Sequence, residues 1–268
     1  MEGLLKFAMF KFNNMKKNFF LALFVLVSAS MLAQVKVIAH RGYWKADGSA
    51  QNSLASFAKA DSIGVFGSEF DVMMTSDGVI VLNHDNVFQG VDVQNSDYDT
   101  VKKLRLVNGE QIPSLDEFLS AMANTTKIKF ILEIKSLATA EKENVAVSKI
   151  VESVKKHKLL DRVDYISFSL NVCQTLKKEL PEADIYYLEG DLAPDRIKEE
   201  GFAGIDYSVG ALKKHPEWIK EAHNLGLKVN IWTVNSEENM KFAIENGVDF
   251  ITTDYPELAK KLVSETGK

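Results

Sequence analysis

Three acidic side chains of this 268-residue sequence occupy positions that could hold a metal ion. Glu69 and Asp71 stand two residues apart in the apolar run 67–74, and Glu133 lies in the apolar run 129–134. Residues i and i+2 of a strand point to the same face, so Glu69 and Asp71 share one side. Two carboxylates on one face repel each other unless a proton or a cation lies between them. Because no basic residue is close in sequence to form an ion pair, oxygen ligands for a hard divalent cation are the favoured interpretation.

Two histidines and two cationic side chains are placed to act beside these acids. Of the five histidines, only His40 and His84 end apolar runs, whereas the others fall in helical stretches or their flanks. Arg41 follows His40 directly, and Lys135 lies two residues after Glu133 and therefore on the same strand face. Taken singly, His40 could end its strand in a polar loop, and Lys135 could form a simple ion pair with Glu133. Taken together, the two cations would offset the negative charge of a phosphate ester.

The combined set of residues predicts acid–base chemistry on a phosphate ester. A divalent cation held by carboxylates polarises a phosphoryl oxygen. One histidine would take a proton from the attacking hydroxyl, and the other would give one to the leaving alkoxide. Trp232 shares its strand face with Asn230 and either packs in the core or forms a platform for the carbon skeleton of a ligand, and we favour the platform. Ser167, Ser169 and Asp254 also stand at strand ends, with no signal that assigns them a role.

The elements that must position these residues alternate along the chain. Short apolar runs predict nine strands, at 35–39, 67–74, 79–82, 129–134, 163–168, 183–188, 204–207, 228–234 and 250–253. Apolar residues at three- and four-residue spacing predict helices at 53–63, 114–122, 141–157, 172–180, 193–199, 216–225 and 237–246. Residues that could cap the starts or end the helices are Asn52, Ser114, Asn171, Ser236, Gly226 and Gly247. Alternation of this kind predicts a parallel sheet.

One of the nine strands must be antiparallel. Only Thr75-Ser76-Asp77-Gly78 separates 67–74 from 79–82, and a parallel crossover needs about a dozen residues. These two strands therefore predict a hairpin, with Gly78 supplying a positive φ in its turn. Eight parallel strands remain, so the predicted fold is an α/β protein, a (βα)8 TIM barrel with a β-hairpin inserted after the second strand. The active site of such a barrel lies at the carboxyl ends of the strands, where the candidate residues fall.

The motifs that carry this chemistry resemble those of the glycerophosphodiester phosphodiesterases, and the resemblance covers nearly all of 35–260. The matching segments are His40-Arg41-Gly42, Asn52-Ser53, Glu69-Phe70-Asp71-Val72, Thr75-Ser76-Asp77-Gly78, His84-Asp85, Glu133-Ile134-Lys135, Trp232-Thr233-Val234-Asn235 and Thr253-Asp254-Tyr255-Pro256. The resemblance implies a barrel enzyme that hydrolyses small glycerophosphodiesters, such as glycerophosphocholine, to glycerol 3-phosphate and an alcohol. It also implies that the glycerol 2-hydroxyl attacks first and gives a cyclic phosphate that water opens, a route that gains from proximity.

The resemblance further implies a role for each candidate residue. His40 and His84 would form the general acid/base pair, in either order. Glu69, Asp71 and Glu133 would bind one Mg²⁺ or Ca²⁺. Arg41 and Lys135 would bind the phosphate, and Trp232 would contact the glycerol side. The chain departs from the family pattern in two segments: Ala50-Gln51-Asn52-Ser53 replaces the usual Pro-Glu-Asn-Thr, and Asn86-Val87-Phe88-Gln89-Gly90 stands where an arginine and threonines are usual. The second segment follows His84-Asp85, so the head-group preference is left open.

Residues 1–33 are typical of a secretory signal peptide, which leaves 34–268 as a single barrel domain. Met15-Lys16-Lys17-Asn18 precedes nine consecutive apolar residues, and small residues follow as far as Ala33. The apolar run is too short to span a bilayer, and no cysteine follows it for lipid attachment. We therefore expect export to the periplasm or beyond without a stable membrane anchor, with Met15 as an alternative start of translation.

Composition excludes several classes of protein. With 46% hydrophobic and 26% charged residues, the chain is globular rather than disordered. Its single cysteine, Cys173, rules out internal disulfides and cysteine-based metal sites and suits a buried, inert thiol. The net charge of −5 becomes −8 without the four Lys and one Glu of residues 1–33, which argues against nucleic-acid binding.

Two other functions stay open, namely a phospholipase C- or D-like enzyme acting on intact lipids or lysolipids, and an inactive phosphodiester-binding module.

Overall fold

Eight parallel strands close into a barrel in the computed structural model, which describes residues 34–266. The predicted signal peptide at 1–33 lies outside the described residues. The strands are β1 (Lys36–Ala39), β2 (Gly67–Met74), β3 (Ile80–Leu82), β4 (Val87–Phe88), β5 (Val91–Asp92), β6 (Lys129–Ile134), β7 (Val163–Ser167), β8 (Ile185–Tyr187), β9 (Gly204–Ser208), β10 (Lys228–Trp232) and β11 (Phe250–Thr253). All except β3, β4 and β5 pair in parallel, and β1 bonds both β2 and β11, so the barrel is closed. The TIM-barrel prediction is therefore confirmed.

Helices lie between most consecutive barrel strands. They are α1 (Leu54–Ser62), α2 (Tyr98–Val101), α3 (Leu115–Met122), α4 (Ala140–Lys156), α5 (Leu170–Glu179), α6 (Pro194–Glu199), α7 (Val209–Lys214), α8 (Glu217–Asn224), α9 (Glu237–Asn246) and α10 (Pro256–Thr266), with a 3₁₀ turn at Leu160–Arg162. Ser114 begins α3 with a complete capping box, in which its side chain and that of Glu117 bond each other's backbone N–H groups. Gly247 ends α9 in the left-handed conformation, as its position predicts.

The predicted hairpin forms, and it determines where the second histidine lies. β3 runs antiparallel to the carboxyl-terminal part of β2, with Val72 opposite Leu82. The Asn83 N–H donates to the Asp71 carbonyl at 3.1 Å. The returning chain is thus tied to β2 beside one of the candidate metal ligands. Beyond it, residues 83–113 add the small β4–β5 hairpin and α2, which the sequence did not predict.

Two helix caps differ from their predictions. Ser53, rather than Asn52, caps α1, and Ser169, rather than Asn171, caps α5. Ser53 follows Asn52 directly, and Ser169 lies two residues before Asn171. In each case the serine hydroxyl accepts a backbone N–H from the first turn of the helix. The short helix α7 and the carboxyl-terminal helix α10 were not predicted.

Apolar side chains fill the barrel below its mouth. A buried cluster inside the barrel contains Ile38, Ile131, Ile166, Tyr186 and Phe250, which lie on five different strands. A larger core joins the outer strand faces to the helices and includes the packed rings of Phe57, Phe70, Phe118 and Phe130. The inner cluster forms an apolar floor, so polar groups on the inward faces gather above it at the carboxyl ends of the strands.

Cys173 is fully buried in the larger core, and burial raises the pKa of its thiol to about 12, as suits an inert cysteine. Within residues 34–266, every helix is too short or too polar to cross a lipid bilayer.

Candidate active site

A pocket opens at the carboxyl ends of the barrel strands, with an empty volume of about 440 Å³. Its lining includes the predicted histidines His40 and His84, the acids Glu69 and Glu133, the guanidinium of Arg41, and the indole of Trp232. The barrel thus brings together residues that lie up to about 190 positions apart in the chain. One side of the pocket is charged and the other is aromatic.

The three predicted metal ligands converge on the charged side. Glu69, Asp71 and Glu133 each offer a carboxylate oxygen, and these oxygens all lie within 4.8 Å of one another. β2 and β6 pair in register here, with Asp71 directly opposite Glu133. All three residues are buried, and one oxygen of Glu69, Oε1, has no hydrogen-bond partner in the part of the chain that the structure describes.

The electrostatics of this cluster call for a cation. Burial and the charges of Asp71 and Glu133 raise the pKa of Glu69 well above its ordinary value. Burial and the charge of Asp71 likewise raise the pKa of Glu133 to about 7. Burial alone would raise the pKa of Asp71, but the positive charges of Lys135 and Arg41 outweigh burial, and the pKa of Asp71 is lowered. A buried carboxylate oxygen without a partner, in a set made only of oxygens, fits a hard divalent cation.

Asn52 fixes Asp71 within this cluster. Its amide Nδ2 donates to Asp71 Oδ2 at 2.9 Å, and its Oδ1 accepts the Asp71 backbone N–H at 3.0 Å. Asn52 has a φ of 57°, a left-handed conformation that asparagine tolerates better than most residues. The residue that the sequence offered as a helix cap is therefore a positioning residue for a candidate metal ligand.

The two predicted phosphate-binding cations lie on either side of the acids. Lys135 Nζ is 2.7 Å from Glu133 Oε1 and 3.5 Å from Asp71 Oδ1, so the ion pair allowed for in the sequence is present. Arg41 Nε is 3.4 Å from Asp71 Oδ2, and its Nη1 donates to Gln51 Oε1 at 2.8 Å. The Arg41 backbone N–H also donates to Glu69 Oε2 at 2.7 Å. Both cations thus contact the acidic cluster and remain next to the pocket.

A fixed hydrogen-bond network orients His40. His40 Nδ1 lies 2.7 Å from Asp254 Oδ1, and a carboxylate can only accept, so Nδ1 carries the proton and Nε2 remains free. Trp44 Nε1 and Asn235 Nδ2 donate to the same carboxylate at 2.9 and 2.7 Å. Burial alone would raise the pKa of Asp254, but the hydrogen bonds from His40 and Trp44 lower it to about 2. Asp254, which had no assigned role from sequence, is the positioning residue for His40.

His84 reaches the same pocket from the end of the hairpin. Its Nδ1 lies 2.7 Å from Asp85 Oδ1, an arrangement that parallels the pairing of His40 with Asp254. Asp85 is more exposed than Asp254, at 68% against 15% of its side chain, so this pair is held less firmly. Burial lowers the pKa of His84, and the nearby charge of Asp71 offsets this only in part. His84 is consequently neutral at pH 7 and able to accept a proton.

The opposite wall of the pocket is aromatic and uncharged at its surface. The rings of Trp232 and Phe168 meet edge to face with centroids 5.5 Å apart, and both line the pocket. Trp232 Nε1 donates to the carbonyl of Asp206 at 2.8 Å, which fixes the indole. The Asp206 side chain lies below, buried, and also lines the pocket. No motif in the sequence pointed to Asp206, because it stands in an ordinary strand pattern.

Comparison with known proteins identifies the class to which this fold and site belong. The sequence model of the Glycerophosphoryl diester phosphodiesterase family matches residues 40–258. The chain therefore belongs to that family, which confirms the resemblance seen in its motifs and the predicted enzyme class.

Individual relatives agree with this assignment. The chain is similar to a glycerophosphodiester phosphodiesterase from Parabacteroides distasonis ATCC 8503 of known crystal structure, with 44% identity and a TM-score of 0.86 over 88% of this chain and 99% of that chain. A glycerophosphodiester phosphodiesterase from Caldanaerobacter subterraneus is 28% identical over 86% of this chain and 98% of its own length. An Oleispira antarctica phosphodiesterase in complex with the product sn-glycerol-3-phosphate shares the fold, with 24% identity and a TM-score of 0.74 over 85% of this chain and 96% of that chain.

Proposed function

We propose that the protein hydrolyses glycerophosphodiesters to glycerol 3-phosphate and an alcohol, with one Mg²⁺ or Ca²⁺ bound by Glu69, Asp71 and Glu133. The observation that carries this proposal is a cluster of three buried carboxylates at a pocket that two histidines and Arg41 also line, with Lys135 paired to the cluster. The named activity of the Parabacteroides and Caldanaerobacter relatives supports the same reaction, and the product in the Oleispira relative supports a glycerol phosphate ligand.

The cation, when bound, would polarise a phosphoryl oxygen and stabilise charge that develops on it. Lys135 and Arg41 would bind the remaining phosphate oxygens, with Arg41 offering a planar guanidinium suited to paired contacts. Both cations already lie beside the acids, so a phosphate would enter a site whose positive groups are in place. Preorganised charge of this kind lowers the cost of reaching the transition state.

The two histidines would move the protons. Neutral His84 would accept a proton from the attacking hydroxyl, and His40, which Asp254 orients, would protonate the leaving alkoxide. The first attack would come from the glycerol 2-hydroxyl, which is tethered to the phosphorus, and a cyclic phosphate would form and then be opened by water with the two roles reversed.

A metal-replacement assay tests the proposed reaction and its cation together. We expect release of glycerol 3-phosphate from a panel of glycerophosphodiesters, complete loss of activity in EDTA, and recovery with Mg²⁺ or Ca²⁺. Glu133→Gln keeps the shape of the side chain and removes its charge, so it should weaken metal binding by at least about 10–100-fold, measured by calorimetry. Asp164→Asn is the matched control, because Asp164 is a buried acid paired with Lys129 at 2.7 Å outside the cluster. Full turnover in EDTA would contradict the metal role.

We also propose that the protein is exported, on the strength of the leader-like residues 1–33. Export predicts that the protein isolated from cells begins near residue 34 and fractionates with periplasmic or secreted proteins. Amino-terminal sequencing of that protein tests the prediction, and an intact residue 1 or 15 at its start would contradict it.

A further inference from the structure

The aromatic side of the pocket contains a buried carboxyl group that the reaction above does not use. Asp206, on β9, is 2% exposed, and its Oδ1 atom has no hydrogen-bond partner among the described residues. The side chain nevertheless lines the catalytic pocket. A buried polar atom without a partner costs free energy, so its retention in a ligand pocket indicates a partner that arrives with the ligand.

The polar neighbours of Asp206 leave its Oδ1 atom without a partner among the described residues, although the Asn230 side chain also hydrogen-bonds the carboxyl group. Asn230 and Thr252 hydrogen-bond each other, with Asn230 Nδ2 donating at 2.9 Å and Thr252 Oγ1 donating at 3.2 Å. The Trp232 indole bonds the Asp206 backbone carbonyl and leaves the carboxyl uncovered. The barrel floor, which includes Ile166, surrounds a small cavity that Asp206 and Asn230 also line. Because the carboxyl also lines the catalytic pocket, a polar group of a bound ligand can reach it from there.

We propose that Asp206 is a specificity-determining residue that hydrogen-bonds the terminal hydroxyl of the glycerol unit. This inference rests on the proposed function. In that reaction the phosphate lies at the cation and the 2-hydroxyl must face the histidines, so the terminal hydroxyl is the remaining polar group that can extend towards the opposite wall. A hydroxyl both donates and accepts, and it therefore suits either protonation state of a carboxyl.

Charge favours a hydroxyl over a cationic head group at this position. Burial, together with the charge of Glu133, raises the pKa of Asp206 to about 8, although the neighbouring Asn230 side chain favours the ionised form. A carboxyl that is largely protonated at neutral pH offers little attraction to an ammonium group. A lysolipid acylated on the terminal hydroxyl would lack the hydroxyl that pairs with this carboxyl. Asp206 thus favours deacylated glycerophosphodiesters over lysolipids.

Binding of two phosphate monoesters that differ by a single hydroxyl tests the inference. sn-Glycerol 3-phosphate carries both hydroxyls, whereas propane-1,2-diol 1-phosphate keeps the 2-hydroxyl and lacks the terminal one. We expect the metal-loaded wild-type protein to bind the glycerol ester about 10–100-fold more tightly in calorimetry, because the second ester leaves Asp206 unpaired. Asp206→Ala should reduce this preference to about threefold or less while changing the affinity for the diol ester little.

Asp206→Asn is the matched variant, because an amide of the same shape still donates to and accepts from a hydroxyl, and it should retain most of the preference. Unchanged binding of the diol ester serves as evidence that each variant is folded. A preference that survives in Asp206→Ala would overturn the inference alone, and so would an equal loss of affinity for both esters, which indicates a structural role. Wild-type protein that binds neither ester would overturn the proposed function and the inference with it.

Discussion

The two sides of the pocket both contain buried carboxyl groups, but they differ in how the charge of those groups is balanced. On β2 and β6, three acids and Lys135 are packed so closely that the side needs a cation to balance it. On β9 and β10, one acid, Asp206, lies near the indole of Trp232, and its Oδ1 atom has no hydrogen-bond partner within residues 34–266. Both sides bury carboxyl groups, yet only the first gathers enough of them to hold a metal ion.

This difference shows that the number of buried acids, and not burial alone, separates a metal site from a neutral hydrogen-bonding site. A lone buried carboxyl relieves its desolvation by taking up a proton, whereas a cluster can instead bind a divalent cation. The charged side then suits the phosphate and the aromatic side suits the organic part of the substrate. The predictions below test that division, from the largest expected effect to the smallest.

Removal of either pocket histidine should cause the largest loss of activity. We expect His40→Ala and His84→Ala each to lower kcat by about 10²–10⁴-fold, because each removes a proton-transfer group. His223→Ala is the matched control, since His223 pairs with Asp249 at 2.8 Å in the same way that His40 pairs with Asp254, but lies outside the pocket. Steady-state kinetics on glycerophosphocholine measures the effect. Full activity in either pocket variant would contradict the acid–base roles.

Loss of the Asn52 amide should have the next largest effect, through Asp71. Asn52→Gly keeps the left-handed backbone accessible and removes both hydrogen bonds to Asp71, so we expect metal affinity to fall about 10–100-fold. Asn52→Ala removes the same bonds and adds backbone strain of about 1 kcal/mol, so it should also lower the unfolding free energy. Calorimetric metal titration and urea denaturation separate the two effects. Equal metal affinity in wild type and Asn52→Gly would contradict the positioning role.

The pH dependence of stability should distinguish the two sides of the pocket. The pKa values of Glu133 and Asp206 are raised to about 7 and about 8, so the folded metal-free protein binds protons that the unfolded chain releases. Its unfolding free energy should therefore rise by about 1–3 kcal/mol as pH falls from 8 to 6.5 in EDTA, measured by urea denaturation. Saturating cation should cancel the Glu133 share, because ligation requires ionised carboxylates.

Single variants assign the two shares. Glu133→Gln should remove some of the slope that the cation suppresses, because the raised pKa of Glu69 contributes the rest of that share. Asp206→Asn should remove a part that the cation leaves in place. A slope that both variants leave unchanged would contradict the assignment of raised pKa values to these residues. A slope that the cation abolishes completely would mean that the two sides titrate as one unit.

The barrel and the charged side of the pocket could be predicted from the sequence because short local patterns indicate both. Apolar runs of four to eight residues located the strands, and acids at i and i+2, such as Glu69 and Asp71, located an inward face. Once the alternation predicts a barrel, every strand end belongs to one rim, so residues from distant segments can be grouped without further information.

The residues that sequence reasoning missed act through contacts between distant segments. Asn52 has the same local pattern as a helix cap, and only its approach to Asp71 shows its role. Asp254 is 214 positions from His40, with which it pairs. Asp206 is distinguished by a buried Oδ1 atom without a partner among the described residues, which no local pattern records. Such roles become visible only when the positions of all neighbouring side chains are known.

Replacing the Gln51 amide by a carboxylate should give the smallest effect on activity. It tests how Arg41 contributes to phosphate binding on the charged side. Gln51 accepts from Arg41 Nη1 at 2.8 Å, and the family pattern has glutamate at this position. Gln51→Glu would keep the hydrogen bond and add a negative charge beside a guanidinium that already faces Asp71. The positive potential offered to the phosphate should weaken, so we expect KM to rise about two- to fivefold with kcat nearly unchanged.

Gln51→Met is the control, because it has similar size and removes the hydrogen bond without adding charge. If the charge balance governs phosphate binding, KM should rise with Gln51→Glu more than with Gln51→Met, and the difference should shrink at high ionic strength because salt screens partly exposed charges. If orientation of Arg41 governs it, Gln51→Met should have the larger effect at every salt concentration. The salt series therefore decides whether Arg41 contributes to the charged side chiefly through its charge or through its geometry.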